Sequence, residues 1–224
     1  MASPTDRMAA GSGFGALAKA DELKKRLWFT VGALIIYRLG TYLPLPGINP
    51  GALADIFSQQ SSGILGMFDM FSGGALGRMT IFALNIMPYI TASIIMQLMT
   101  AIVPSLEALK KDGEGGRKTI NQYTRYLTVL LASVQGYGIA VALEAASGVV
   151  GDPGMFFRLT TVVTLVGGTL FLMWLGEQIT SRGVGNGISL IIFSGIVAEL
   201  PTALAGTLEL GRTGALSSVL IVLL

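Results

Sequence analysis

The sequence predicts an all-α fold, a polytopic membrane helix bundle, on three observations. The chain of 224 residues is 52% hydrophobic and only 12% charged, with a mean hydropathy of +0.68, whereas soluble domains carry about 25% charged residues. Apolar runs long enough to cross a bilayer recur along it. Thirty glycines suit helices that approach one another closely in lipid.

Residues 1–26 are small, polar and basic, ending in DELKKR, and read as an amino-terminal segment outside the membrane. Within it Ala9–Ala20 reads equally as a weak surface helix or as unstructured chain. The run LWFTVGALIIYRLGTYL follows at once. Arg38 interrupts it and PLPGINPG succeeds it in place of a small-residue cleavage site, so 27–43 reads as a retained span and not as a secretory signal. Pro44, Pro46 and Pro50 end that helix and impose an extended exit.

Ile64–Gly77, ILGMFDMFSGGALG, is apolar but holds Asp69 and several glycines. As a helix it would reach roughly 20 Å, short of the ~30 Å hydrocarbon core. It leads without a break into the run from Met79 to Val103, which is long enough to span. A short apolar segment joined to a full span reads as a re-entrant insert held by protein. In the following span Pro88 sits between Ile86 and Ile90 and predicts a kink near Leu84. Thr91, Ser93 and Gln97 there, with Gln135 and Tyr137 on the next span, are polar groups of the kind that join helices.

Further spans are expected at 126–146, 156–175 and 188–205, the last interrupted by Glu199 and Pro201. Residues 206–214 read as an outer loop and 215–224 as the start of a sixth span. Ten residues are too few to cross a bilayer, so the chain is expected to be part of a longer protein.

Lys and Arg orient the bundle. With the amino terminus inside, eleven of the fifteen fall on inner segments: Arg7, Lys19, Lys24, Lys25, Arg26, Lys110, Lys111, Arg117, Lys118, Arg125 and Arg182. The positive-inside rule then puts the amino terminus in the cytosol, and Ile64–Gly77 enters from the outer face.

Function classes fall away by composition. With neither Cys nor His in the chain, thiol nucleophiles, Ser-His pairs, disulfides and imidazole or thiolate metal sites are excluded. No acidic residue sits at mid-span, as proton relays require. Asp69 reads most simply as an exposed carboxylate on a half-buried loop, since no second carboxylate is there to make an aspartyl protease. The glycines of TSRGVGNGIS, 180–189, follow no strand and precede no Lys. That stretch predicts a tight turn into a helix capped by Asn186 or Ser189. Neither catalysis, a cofactor nor a metal is expected, and a net charge of +2 gives no argument for nucleic acid.

At MFDMFSGGALGRMTIFALNIMPYITASIIMQL, and again at FLMWLGEQITSRGVGNGISLIIFSGIVAELP, PLPGI and GRKTINQYTRY, the chain resembles the SecY family, the large subunit of the bacterial protein-conducting channel. The resemblance covers the family's amino-terminal half, about five of its ten spans plus the start of the sixth. It implies a plug across the outer funnel at Ile64, Leu65, Met67, Phe68, Met70, Phe71, Gly73, Gly74 and Leu76. It implies further that Ile86, Ile90 and Ile192 contribute to an apolar pore ring. It implies, too, that Thr91 and Gln135 lie at a lateral gate that opens toward lipid.

The implied function is a passive channel of the bacterial cytoplasmic (inner) membrane, through which unfolded secretory polypeptides cross and membrane proteins enter laterally. The implied partners are SecE, SecG, the carboxy-terminal half of SecY, a SecA motor ATPase or a ribosome, signal peptides and nascent polypeptides, and membrane lipids. Read without the resemblance, broken helices also suit a small-solute secondary transporter, and a scaffold for other membrane subunits is a third possibility.

Overall fold

The structure, a computed structural model, describes residues 21–60, 69, 72–146 and 148–212. Seven helices are described: α1 Asp21–Gly40, α2 Pro50–Gln60, α3 Met87–Ile102, α4 Pro104–Lys111, α5 Glu114–Ala145, α6 Met155–Arg182 and α7 Gly187–Arg212. Among the described residues, extended pairing is confined to two isolated bridges. The all-α expectation holds. Ala9–Ala20 and the expected sixth span at 215–224 lie outside the described residues.

Among the described residues three helices are long and apolar enough to cross a membrane: Glu114–Ala145, Met155–Arg182 and Gly187–Gly206. A fourth counts if α3 and α4, bent by 99° at Val103, are taken as one span. α1 is outside that set, because its apolar run is bounded by a charged first turn and by Arg38. Residues 206–212, expected in a loop, instead continue α7.

Proline punctuates the chain as the sequence suggests, with one exception. Val103 is extended at φ −96°, ψ 113° ahead of Pro104, which opens α4. Pro88, expected to kink a helix running from Met79, instead sits in the first turn of α3, where its missing N–H costs nothing. Residues 75–86 are a chain of turns. Their backbone is used elsewhere: Leu45 N–H donates to the Met79 carbonyl at 3.0 Å and Ile81 N–H to the Leu43 carbonyl at 3.0 Å.

The PLPGI run, expected to be extended, instead turns at Pro46–Gly47, where Gly47 takes φ +85°, and is bridged on both sides of that turn, at Pro44 and at Ile48. On one side lie those bonds to 79–81. On the other, Asn49 N–H donates to the Val149 carbonyl at 2.8 Å and Gly151 N–H to the Gly47 carbonyl at 3.2 Å. This one short segment thus ties two interhelical connections together at a single end of the bundle.

α5 and α6 form the central hairpin. α5 buries Thr124, Thr128, Ala132, Gly136 and Ala140 at four-residue spacing, a stripe of small side chains that lets the helices approach. α6 in turn buries Thr161, Leu165, Gly168, Thr169 and Leu172, with Leu165 set against Gly136 of α5. Two apolar clusters result: Leu45, Met79, Leu84, Leu143 and Phe157 toward the braced end, and Tyr37, Phe82, Ile86, Leu172, Ile179 and Ile191 beside it.

Candidate functional site

The expected plug stretch is described only in part. Ile64, Leu65, Met67, Phe68, Met70 and Phe71 lie outside the described residues, whereas Asp69 and Ser72–Gly77 are seen. Asp69 is a half-buried capping residue, which corrects its reading as an exposed carboxylate. Its Oδ1 accepts from the Gly77 N–H at 2.7 Å, and its carbonyl from the Gly74 N–H at 3.0 Å. Ser72 Oγ donates to the Asp69 carbonyl at 2.9 Å and accepts from the Leu76 N–H at 3.1 Å. The turn closes on itself because Gly73 and Gly74 take φ of +65° and +77°, angles that glycine reaches without steric cost.

That geometry turns the Gly73 carbonyl toward two guanidinium groups. Arg38 Nη1 donates to it at 2.9 Å and Arg78 Nη2 at 2.8 Å. Both cations also stand over the Tyr42 ring, 5.1 and 4.6 Å from its centroid, and Arg38 Nη2 donates to the Tyr42 hydroxyl at 3.2 Å. Behind the turn lies α7: a Cβ on Gly73 would press the Gly195 backbone at 3.1 Å, and one on Gly74 would meet Glu199 Oε1 at 3.0 Å.

The turn also walls a cavity of about 520 Å³ between α3 and α5. Ser72 and Leu76 line it from the turn, Leu84, Asn85, Met87 and Thr91 from the chain leading into α3, and Gln135, Gly138, Ile139 and Ala142 from α5. Thr91 and Gln135, expected at a gate, therefore face one space together with Leu76 of the expected plug. Thr91 Oγ1 is occupied with its own helix, donating to the Met87 carbonyl at 3.0 Å.

Ile86, Ile90 and Ile192 meet at one apolar cluster. Ile86, the residue before α3, is fully buried there, while Ile90 and Ile192 are half-buried against it. Ile90 N–H donates to the Ile86 carbonyl at 3.1 Å, so the two stand one turn apart, as their spacing predicts. Asn85 aims this start: at φ +48° its Oδ1 accepts from the Ile86 N–H at 2.8 Å, and its side chain bonds Tyr37. Asn is among the few residues other than glycine that tolerate this conformation.

The predicted cap at 180–189 is present, with Asn186 Oδ1 accepting from the Ile188 and Ser189 N–H groups at 3.0 and 3.3 Å. Among the described residues, no group of three or more acidic side chains is placed to hold a metal. Sequence reasoning missed the convergence of Arg38, Arg78 and Glu199 around one turn. Its signal was available, since Arg38 and Glu199 are charges inside apolar runs, a placement that calls for a partner.

Comparison with known proteins bears on this arrangement. The family model described as SecY matches residues 80–224. The protein translocase subunit SecY of Rickettsia bellii is 58% identical over 202 residues, covering 88% of this chain and 47% of the relative. The subunit of the same name from Escherichia coli K12 is 56% identical over 205 residues, covering 90% and 46%. The chain thus spans about half the length of the relatives it matches.

Among solved structures, a protein-conducting channel and Sec61 in a canine ribosome-channel complex each superpose with a TM-score of 0.57 at 19% identity, covering 84% of this chain and 38% of the other. They share the fold of the helical bundle described above. With a family model matched over well more than half its length, and apolar helices to suit, this multi-pass membrane chain belongs to the SecY family.

Proposed function

We propose that the chain is the amino-terminal half of the pore-forming subunit of a bacterial Sec translocon. Through this passive channel unfolded secretory polypeptides cross the cytoplasmic membrane and membrane proteins enter it laterally. The observation that carries the reading is the cavity between α3 and α5, walled jointly by Leu76, Thr91 and Gln135. A largely apolar space with few fixed polar partners suits an occupant of variable sequence.

In this reading Ile64–Gly77 is the plug, Ile86, Ile90 and Ile192 supply part of the pore ring, and Thr91 and Gln135 flank the lateral exit. In a similar solved SecY structure, at TM-score 0.54, the plug domain stabilises the closed state of the translocation channel and maintains a membrane seal. The chain performs no catalytic step, so the driving energy comes from a SecA motor, a ribosome or the membrane potential. SecE, SecG and the carboxy-terminal half of SecY complete the pore. The excess of Lys and Arg on one set of connections supports a cytosolic amino terminus. Family membership disfavours the small-solute transporter.

Because the chain holds no cysteine, introduced thiols report cleanly. In the full-length channel with its partner subunits, Thr91→Cys and Gln135→Cys should each crosslink to a cysteine in the apolar core of an arrested signal peptide. Translocation that proceeds with no adduct at either position overturns the gate assignment. Replacing Ile86, Ile90 and Ile192 by Ser should raise ion conductance in planar bilayers, and unchanged conductance removes the ring.

A further inference from the structure

We propose that Arg38, Arg78 and Glu199 are positioning residues that anchor the Ser72–Arg78 turn to α1 and α7, and so fix the wall of the α3–α5 cavity. The anchor deepens the channel reading and rests on it for its purpose, but its geometry stands independently. A carbonyl has two lone pairs, and Gly73 gives both to charged donors, at 2.9 and 2.8 Å. Hydrogen bonds from an ionised donor are roughly twice as strong as neutral ones.

Two cations converging on one acceptor repel each other, so something must offset them. The Tyr42 ring offers its π face to both. The Glu199 carboxylate, brought in by α7, stands at Gly74, where a Cβ would lie 3.0 Å from its Oε1 and 2.7 Å from Arg78 Nη2; it acts on the cations through space and not through a direct ion pair. Tyr37 adds a hydroxyl 3.4 Å from the Ser72 carbonyl. Each of these side chains comes from outside the turn except Arg78. The turn's own bonds from Asp69 and Ser72 set its shape; the anchor sets where that shape sits.

Two consequences follow. Gly73 and Gly74 are held on both faces and are not free hinges, although their composition suggests hinges. The two charges that interrupt the first and fifth apolar runs, Arg38 and Glu199, both stand at the turn, the first at Gly73 and the second at Gly74. A charge within a bundle is costly unless it is partnered, and the Gly73 carbonyl is what partners Arg38, while Glu199 stands half-buried at Gly74. α1 and α7 are thereby linked to Leu76, whose side chain faces the same cavity as Thr91 and Gln135.

The test uses thiol accessibility in the full-length channel with its partner subunits, any cysteines in those partners replaced. Leu76→Cys reports on the turn. Ala132→Cys, buried between α5 and α6, reports on the bundle. Adding Arg38→Gln should speed labelling of Cys at position 76 by a membrane-impermeant maleimide by about tenfold, the scale of one lost charge-assisted bond, with no change at position 132. Arg38→Lys keeps the charge but cannot serve both Gly73 and Tyr42, and should fall between. Glu199→Gln should act in the same direction.

Unchanged labelling at 76, or equal acceleration at 76 and 132, overturns the anchor. If Arg38→Gln fails to assemble, the Arg38→Lys and Glu199→Gln pair decides by the same criteria. Closed-state conductance, measured on the same variants, should rise with labelling at 76. Faster labelling without added conductance leaves the anchor standing and overturns its role in closing a channel.

Discussion

Glu144 and Arg158 close one end of the central hairpin, with Arg158 Nη2 and Nε each 2.7 Å from Glu144 Oε2. The other carboxylate oxygen accepts the Gly154 N–H at 2.9 Å. The connection between α5 and α6 is therefore tied at its root. At the opposite end Arg125 Nη2 lies 2.7 and 2.8 Å from the two oxygens of Glu177. Two helices that are largely apolar between these points are thus fixed in register by a charge pair near each end.

The two pairs should differ in what they contribute. Glu144 is nearly enclosed, its side chain 9% exposed, whereas Arg125 is 51% exposed, and exposed pairs are weak. Glu144→Gln keeps the shape but loses the charge and leaves Arg158 without its counter-ion. Thermal unfolding in detergent micelles should show a Tm several degrees lower for Glu144→Gln and little change for Arg125→Gln. In a double-mutant cycle, Glu144→Gln with Arg158→Gln should be clearly less than additive. Equal effects from the two pairs contradict the burial argument.

Glycines of α6 and α5 that look alike in sequence should separate sharply. A Cβ on Gly168 would run into the Ile81 carbonyl, which the turn segment brings against α6. A Cβ on Gly136 would reach Val162 Cα at 3.6 Å, an ordinary contact. Gly168→Ala should cost about 1–3 kcal/mol through overpacking. Gly136→Ala should be neutral or gain up to about 1 kcal/mol from helix propensity. Melting temperatures in one detergent would rank them, and a stable Gly168→Ala would show that residues 75–86 do not press on α6.

How much of this was legible follows from where each signal is stored. The spans at 126–146 and 156–175 are long local runs, so length and apolarity alone reveal them. The start of α3 is different. Pro88 reads equally as a kink or as a first-turn residue, and what decides is whether residues 75–86 spend their backbone on a helix or on Leu43 and Leu45. That is a tertiary choice with no local trace. Arg38 was legible as an anomaly, but its acceptor is a backbone carbonyl 35 residues away, and backbone has no sequence signature. The cap at 180–189 was legible down to Asn186 or Ser189, because a cap involves only its immediate neighbours, and the structure chooses Asn186.

Ile86 poses a question of role that stability measurements can answer. It is completely buried among Tyr37, Phe82 and Leu172, whereas Ile90 only abuts that cluster. Ile86→Ala should cost about 2–5 kcal/mol, and Ile90→Ala much less. A conductance change in Ile90→Ala with an unaltered Tm would then speak for a ring contribution, because loosened packing could not account for it. If both substitutions lower the Tm equally, Ile90 is a core residue like its neighbour.

Two buried hydroxyls supply the opposite expectation, a substitution that does no harm. Thr161 and Thr169 of α6 are buried, and their Oγ1 atoms have no hydrogen-bond partner. Thr128 Oγ1 of α5, equally buried, donates to the Thr124 carbonyl at 2.7 Å. A buried hydroxyl without a partner carries its desolvation cost with no return, whereas a partnered one returns about 1 kcal/mol. Valine has nearly the same shape, so Thr161→Val and Thr169→Val should leave the Tm unchanged or raise it, and Thr128→Val should lower it. The comparison holds shape, helix propensity and depth nearly constant, so the sign of the difference isolates the hydrogen bond. A fall in Tm for Thr161→Val as large as that for Thr128→Val would mean that Thr161 is partnered in the assembled protein.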